Sequence, residues 1–467
     1  MRSVPKISKE QKLLYVIILL FILTRLYLFQ YLGIEFGYNL DGLIQFLDVN
    51  CLRQNLLQSI FYLHSQPPLF NLFIGVFEKY LPDYSKDIVQ FIFLFMGLIT
   101  NIALYKILLR MNINLYLSFI LTIIYLITPA TILYENLFFY THIIIFFLIL
   151  SCYFLLRFIQ SKKFKDIFLF SSFLSLCVLT TSFFHVIWFF LIIITLICFY
   201  PKDKKVIIKS ALVPVFLIAI MIAKNYLIFG NLNLSSWLGM NLYRITVNEL
   251  SLNERRILTK DERLSKFSKF DPFPEIDSLE SLKELKILDK TGIEVLDEYK
   301  KKSGHTNYNN ILYLKVSKII FKDDIYIITH YPDVYLKGVL KAFHLYFNPP
   351  TKYNLLEPNI YKIWRFNSIY NRFIYGTYNN RGPGLLSFFF ISLMIIISIV
   401  IILNKNTEKS SRVVLVFLIF NILYVMLLGN FLEYGENNRF RYYTEIYHYI
   451  ILGIILKLFI KNLQENK

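Results

Sequence analysis

The apolar residues of this chain fall in uninterrupted blocks of roughly 20, without the stripe of a surface helix or the alternation of a half-buried strand. At a rise of about 1.5 Å per residue, blocks of that length match helices that cross a bilayer. They predict about ten transmembrane helices, at 13–32, 87–109, 115–133, 136–159, 166–183, 184–200, 206–228, 385–403, 412–432 and 440–460. The expected fold class is an all-α polytopic membrane protein with amphipathic outer-loop helices and one mainly helical extracytoplasmic domain. Residues 1–228 then form an N-terminal transmembrane core, 229–384 the extracytoplasmic domain and 385–467 the C-terminal transmembrane helices.

The first outer loop, 33–86, is long enough to hold chemistry. Asp41, Gln45 and Asp48 recur at helical spacing there, which predicts one shared helical face. The stretch Pro68 to Pro82 is too short to span and predicts an interfacial or re-entrant piece. In the second outer segment, Asp277 followed by Glu280 predicts a capping box opening a charged helix that runs through Lys302. A further helix near Asp333 to Phe347 carries Lys337 and Lys341 on one side and aromatic residues on the other, as a helix lying on the membrane surface would. No internal repeat or low-complexity linker is evident.

Charge changes the picture only through its position. A net +18 would suit nucleic acid, but Lys and Arg concentrate in the leader, at Arg110, at Lys162, Lys163 and Lys165, at Lys202, Lys204 and Lys205, and at Lys405, Lys409 and Arg412. The short loops around Glu135 and Phe184 carry no basic residue. That alternation follows the positive-inside rule and makes nucleic acid an unnecessary partner. It predicts both termini in the cytoplasm, because an even number of spans returns the chain to its starting side. The basic leader resembles the start of a signal peptide, but the block after it is too long for an h-region and no small-x-small site follows, so a retained first helix is expected. Richness in Ile, Lys and Asn points to an AT-rich bacterial genome and hence to a bacterial inner (plasma) membrane. Cys152, Cys177 and Cys198 fall inside spans and Cys51 in an outer segment, which gives no disulfide framework.

An ionisable side chain at a helix centre costs about 2.5 to 3.5 kcal/mol on insertion scales, so each one retained calls for a partner or a role. Five places qualify: Asp41, Glu135, Arg25, Lys224 with Asn225, and Arg439 with Arg441. Carboxylates and guanidinium groups on one membrane face suit transfer of a group from a phosphate carrier. One carboxylate takes the acceptor's proton while cations stabilise the departing phosphate. Each has a plainer reading. Arg441 has Glu445 four residues on and pairs within its own helix; Arg25 snorkels to the interface; Asp48 is a solvated face residue. Glu135 sits in a tight outer turn, where only solvation competes with a functional role. His64 and His142 lack metal-ligand spacing, so no metal site is expected from them.

The order of these residues resembles a known family. An outer Arg25 in the first helix is followed by the outer acid Asp41, by His64-Ser65-Gln66-Pro67-Pro68-Leu69-Phe70, and by Pro129 with the turn acid Glu135. Lys224-Asn225-Tyr226-Leu227-Ile228-Phe229-Gly230 then leads to Asn241-Leu242-Tyr243, and Glu436-Asn437-Asn438-Arg439-Phe440-Arg441-Tyr442 comes late in the chain. The set is similar to the GT-C superfamily of membrane glycosyltransferases, in its protein mannosyltransferase and aminoarabinose transferase branch, over roughly the first half of the chain and the last helix.

The resemblance implies transfer of a hexosyl or pentosyl group from a polyprenyl-phosphate carrier to a glycan, lipid or protein acceptor at the outer face. Asp41 would be the general base and Glu135 a supporting carboxylate. Lys224, Arg439 and Arg441 would bind the carrier phosphate, and Asp48, His64, Gln66, Asn225 and Tyr226 would contact substrate. Lys224 and Arg439 should approach one another across an outer cavity. No cofactor is required, although Asp41 and Glu135 would offer a place for Mg or Mn. The chain departs from the pattern at Asp41-Gly42, where the family often has Asp-Glu, leaving Asp48 and Glu35 as rival bases. It departs again at Lys224, where an Arg would supply a bidentate fork. Two other classes remain open: an O-antigen ligase or polymerase, and a lipid or sugar transporter with a site at the membrane midplane.

Overall fold

Ser8 opens the first helix, Lys9–Gln30, with a capping box in which its hydroxyl takes the Gln11 amide and the Gln11 side chain returns to the Ser8 amide. The computed structural model describes residues 8–279, 290–377 and 384–465. Helices build it throughout: among the described residues the only extended pairings are isolated bridges, Gly37 with Leu137 and Lys300 with Thr306.

Among the described residues seven helices are long and apolar enough to cross a membrane: Lys9–Gln30, Pro82–Arg110, Tyr140–Ser161, Pro201–Phe229, Leu385–Leu403, Lys409–Leu432 and Glu445–Gln464. The chain is thus an all-helical protein with the apolar spans of an integral membrane protein. An eighth stretch, expected as one straight span over 115–133, is a pair of helices, Leu115–Leu126 and Pro129–Glu135, bent by 57°. Pro129 has no amide to continue the ladder, and Thr128 before it is extended and caps the second piece by accepting from the Thr131 amide. The stretches 166–183 and 184–200 form Phe164–Thr180 and Val186–Phe199, with 17 and 14 residues. At about 1.5 Å per residue both are shorter than a hydrocarbon core of about 30 Å.

Two outer-segment expectations change, those for 41–48 and for 277–302. Residues 41–48 form turns rather than a helix, so Asp41, Gln45 and Asp48 share no helical face. The Asn39 side chain holds the turn by accepting from the Gly42 amide, and Asp48 is the N-cap of Val49–Phe61, accepting from the Asn50 amide at 2.8 Å. Pro68–Tyr80 is a helix packed on Val49–Phe61, where Gly75 admits the Leu56 side chain: a Cβ there would stand 2.3 Å from it. Of the stretch expected as a helix from Asp277 through Lys302, residues 280–289 lie outside the described residues, and the described part is not one continuous helix. Ile276–Leu279 and Glu294–Asp297 are single turns, Gly292 takes a left-handed φ of +76°, and Glu280 lies outside the described residues. Pro332–Tyr346 is a helix as expected, but Lys341 pairs with Glu249 and Gly338 packs against the Ile245 backbone.

A second core, built on Trp237, Met240, Tyr243, Tyr313, Val316 and Ile320, lies within residues 229–377. The joint to the membrane helices is Gly230, at φ +62°, which ends Lys204–Phe229 with a left-handed cap.

Candidate functional site

The turn joining Phe164–Thr180 to Val186–Phe199, residue Ile222 near the end of Lys204–Phe229, and the end of Lys409–Leu432 together wall a cavity of about 290 Å³. The basic loops at 162–165, 201–205 and 405–409 lie at the opposite ends of these same helices. The cavity therefore sits at helix ends, away from the basic side and away from the middle of the spans. Its lining includes the apolar Phe183, Val186, Ile222, Leu428 and Leu432. It also includes polar groups, Gln45 and Gln66 from the first loop, Asn241 and Arg244 from the second core, and Glu433, Glu436 and Arg439.

Arg439 is the best-anchored of these groups. It lies in the short helix Asn437–Tyr442 with no exposed surface, and its Nη1 donates to Thr141 Oγ1 at 3.1 Å and to Tyr443 Oη at 2.7 Å. Its Nη2 pairs with Glu436, the N-cap three residues earlier, while Nε has no hydrogen-bond partner. The rings of Phe139, Phe440 and Tyr140 lie 4.7, 4.8 and 5.1 Å from the guanidinium. Arg244 forms a second pair, donating from Nη1 to Glu433 Oε1 at 3.2 Å, with the Phe273 ring 4.9 Å away. Burial pushes the Glu433 carboxyl up to about 7 against the pull of Arg244. Burial works the same way on Glu436, but the Arg439 guanidinium overcomes it and holds that carboxyl below its usual range. The polar lining thus includes two guanidinium groups, each held by a carboxylate.

The expected site residues divide. Gln66 and Arg439 reach the cavity. Asp41 is not in its wall. Its loop contributes Ile44 and Gln45, and its own Oδ1 is buried without a hydrogen-bond partner. Nearby, Lys301 donates to the Asp41 and Leu43 carbonyls at 3.0 and 2.9 Å, and burial draws its ammonium down to about 8 while Asp41 and Asp48 pull the other way. Asp48 is engaged as a cap and by the Lys302 amide at 2.5 Å. His64 is fully buried; Nδ1 meets Ser236 Oγ at 2.9 Å, Nε2 has no hydrogen-bond partner, and burial lowers the ring to about 3. Glu35, the rival acid, pairs with Lys362 at 2.9 Å.

Lys224 does not meet Arg439 across this cavity. Its Nζ donates to the Leu63 carbonyl at 2.7 Å, fastening the helix end to the first loop. Asn225 donates to the Asn233 carbonyl at 2.8 Å, and Tyr226 is exposed. Arg441 points into a separate cavity with Ser387, Tyr375 and Glu445. Its expected pairing within the helix is present as a loose contact of 3.7 Å to Glu445.

Glu135 is not in a solvated turn, and Arg25 does not snorkel. Both are buried, and Arg25 Nε donates to Glu135 Oε2 at 2.8 Å. Arg25 Nη1 also donates to the Leu126 carbonyl at 3.0 Å, one of the carbonyls left without an amide by the break at Pro129. A divalent ion does not fit Glu135, because the Arg25 cation already takes that carboxylate. Among the described residues no group of three or more His, Cys, Asp or Glu is placed to hold a metal.

Sequence reasoning missed Arg244, Glu433 and Glu436 as site residues. Glu433, Glu436 and Arg439 recur every third residue, which is the one local signal that could have joined them. Arg244 directly follows Asn241-Leu242-Tyr243 but meets Glu433 only through the fold. Compared with models of protein families, with curated proteins and with solved structures, the chain finds no match.

Proposed function

We propose that this protein is a membrane glycosyltransferase that moves a sugar from a polyprenyl-phosphate carrier to an acceptor at the outer face of the bacterial plasma membrane. The observation that carries the reading is the cavity at the helix ends opposite the basic loops, whose lining combines apolar side chains such as Ile222, Leu428 and Leu432 with the guanidinium groups of Arg439 and Arg244. An isoprenoid chain suits the apolar side chains and a phosphate the guanidinium groups. A transporter would place its site near the middle of the spans.

In the proposed reaction an acceptor hydroxyl oxygen forms a bond to the anomeric carbon as that carbon's bond to the phosphate oxygen breaks. The hydroxyl proton passes to a carboxylate, and the electron pair of the broken bond leaves with the polyprenyl phosphate. Arg439 and Arg244 stabilise the charge that develops there. Glu436 and Glu433 hold the two guanidinium groups in place before the phosphate arrives. We assign the base to Asp41, whose loop brings Ile44 and Gln45 to the cavity and whose Oδ1 is unpartnered. A second reading takes Glu433 as the base, because it lines the cavity and its carboxyl is poised at about 7.

Undecaprenyl phosphate titrated into the purified protein tests the site. Native mass spectrometry should show saturable binding that Arg439→Gln weakens at least tenfold. Equal binding by both proteins would remove Arg439 from the phosphate site.

A further inference from the structure

Arg441 and Glu445 face a second cavity, of about 300 Å³, on the other side of the short helix that carries Arg439. The helix Glu445–Glu465 brings Glu445 and His448 to it, Leu385–Leu403 brings Ser387, Phe390 and Met394, and Trp364–Tyr375 brings Tyr370 and Tyr375. Its mouth opens on an apolar surface, since Phe390 lines the cavity and is half exposed beside the exposed Phe389 and Leu393. The helix Trp364–Tyr375 exposes Trp364, Phe366, Ile369 and Phe373 next to Arg365, the pattern of a helix suited to the headgroup region.

The polar atoms inside are incompletely used. Arg441 Nη1 donates to Ser387 Oγ at 2.6 Å, and Tyr375 Oη donates to Glu445 Oε1 at 3.1 Å. Arg441 Nε and His448 Nε2 are buried without a hydrogen-bond partner among the described residues, Arg441 Nη2 and Glu445 Oε2 meet only as an ion pair at 3.7 Å, too long for a hydrogen bond, and Arg441 is only 2% exposed. Guanidinium N–H groups need acceptors, while a carboxylate oxygen needs a donor. A phosphate would satisfy the first and be repelled by the second. A hydroxyl does both, and the Tyr375, Tyr370 and Tyr449 rings that line the cavity offer amphipathic faces to a sugar ring.

We propose that this second cavity binds the sugar headgroup of a membrane glycolipid, with its hydrocarbon chains lying along Phe390, Met394 and Leu452. The inference needs the membrane-embedded fold but not sugar transfer, and its test does not read transfer.

Native mass spectrometry of the full-length protein in detergent would compare glucosyl-diacylglycerol with phosphatidic acid bearing the same acyl chains. Wild type should retain the glucolipid in preference to phosphatidic acid. Met394→Trp, which fills the cavity, should abolish that binding, and Glu445→Gln, which keeps the shape and removes the charge, should weaken it at least tenfold. The proposal fails if phosphatidic acid binds as well or better, or if Met394→Trp binds the glucolipid like wild type. Should Glu445→Gln not fold, the Met394→Trp comparison decides alone.

Discussion

Arg439 combines a fixed position with a single unpartnered nitrogen, and replacing it separates charge from geometry. Arg439→Lys keeps a cation but loses the planar fork, so transfer should fall while the fold is kept; Arg439→Gln should lower turnover by about 10² to 10³, the usual cost of one donor to a developing oxyanion. Turnover of either variant at the wild-type rate would contradict its proposed role. The base is tested at two carboxylates. Asp41→Asn should nearly abolish transfer, since a positioned base contributes about 10² to 10⁴ in rate, while Glu433→Gln should retain most of it. The pH profile distinguishes them independently. A base with the carboxyl of Glu433 must lose its proton as pH rises through about 7, so under the second reading activity climbs across that window and Glu433→Gln removes the climb. Under the Asp41 assignment Glu433→Gln leaves the shape of the pH profile unchanged. Sequence alone separated these residues poorly. Asp41, Gln45 and Asp48 match helical spacing, yet three points do not distinguish a helix from a turn that ends in an N-cap.

The joint between Lys9–Gln30 and the bent pair is a structural device made from residues first read as a site. Arg25 satisfies both the Glu135 carboxylate and the Leu126 carbonyl, and Gly97 leaves room for that carboxylate, since a Cβ there would lie 2.6 Å from Glu135 Oε1. Glu135→Ala should cost about 3 to 5 kcal/mol in thermal or denaturant unfolding, because it strands a buried guanidinium. The double replacement Arg25→Met with Glu135→Ala should recover part of that loss. A Glu135→Ala protein as stable as wild type, yet inactive, would return Glu135 to the catalytic site. The retention of Glu135 in an apolar stretch was legible in the sequence. Its partner was not, because Arg25 lies 110 residues earlier and only packing brings the two together. The break at Pro129 was likewise hidden under a continuous apolar run, although the proline itself marks it.

At the scale of the whole molecule, the apolar blocks predicted where helices lie, and helices occupy each of them. The lengths of the helices were less legible, because 166–183 and 184–200 merge a short helix, a turn and another short helix into one apolar stretch of sequence. The cavity's polar lining was least visible, since Arg244 and Glu433 stand 189 residues apart. Topology can be checked on a Cys198→Ser background, which removes the exposed native thiol. A cysteine at Leu232, beside the cavity, should be labelled from outside intact cells, and one at Lys163 should not; labelling of the second from outside would invert the orientation. The most direct test of the central claim is mass spectrometry of polyprenyl-linked sugars in cells with the gene, without it, and with only Arg439→Gln. The account predicts that a polyprenyl monophosphate sugar accumulates in the last two and that one surface glycan, lipid or protein loses the corresponding sugar. Identical lipid-linked sugars and identical glycans in all three strains would contradict it.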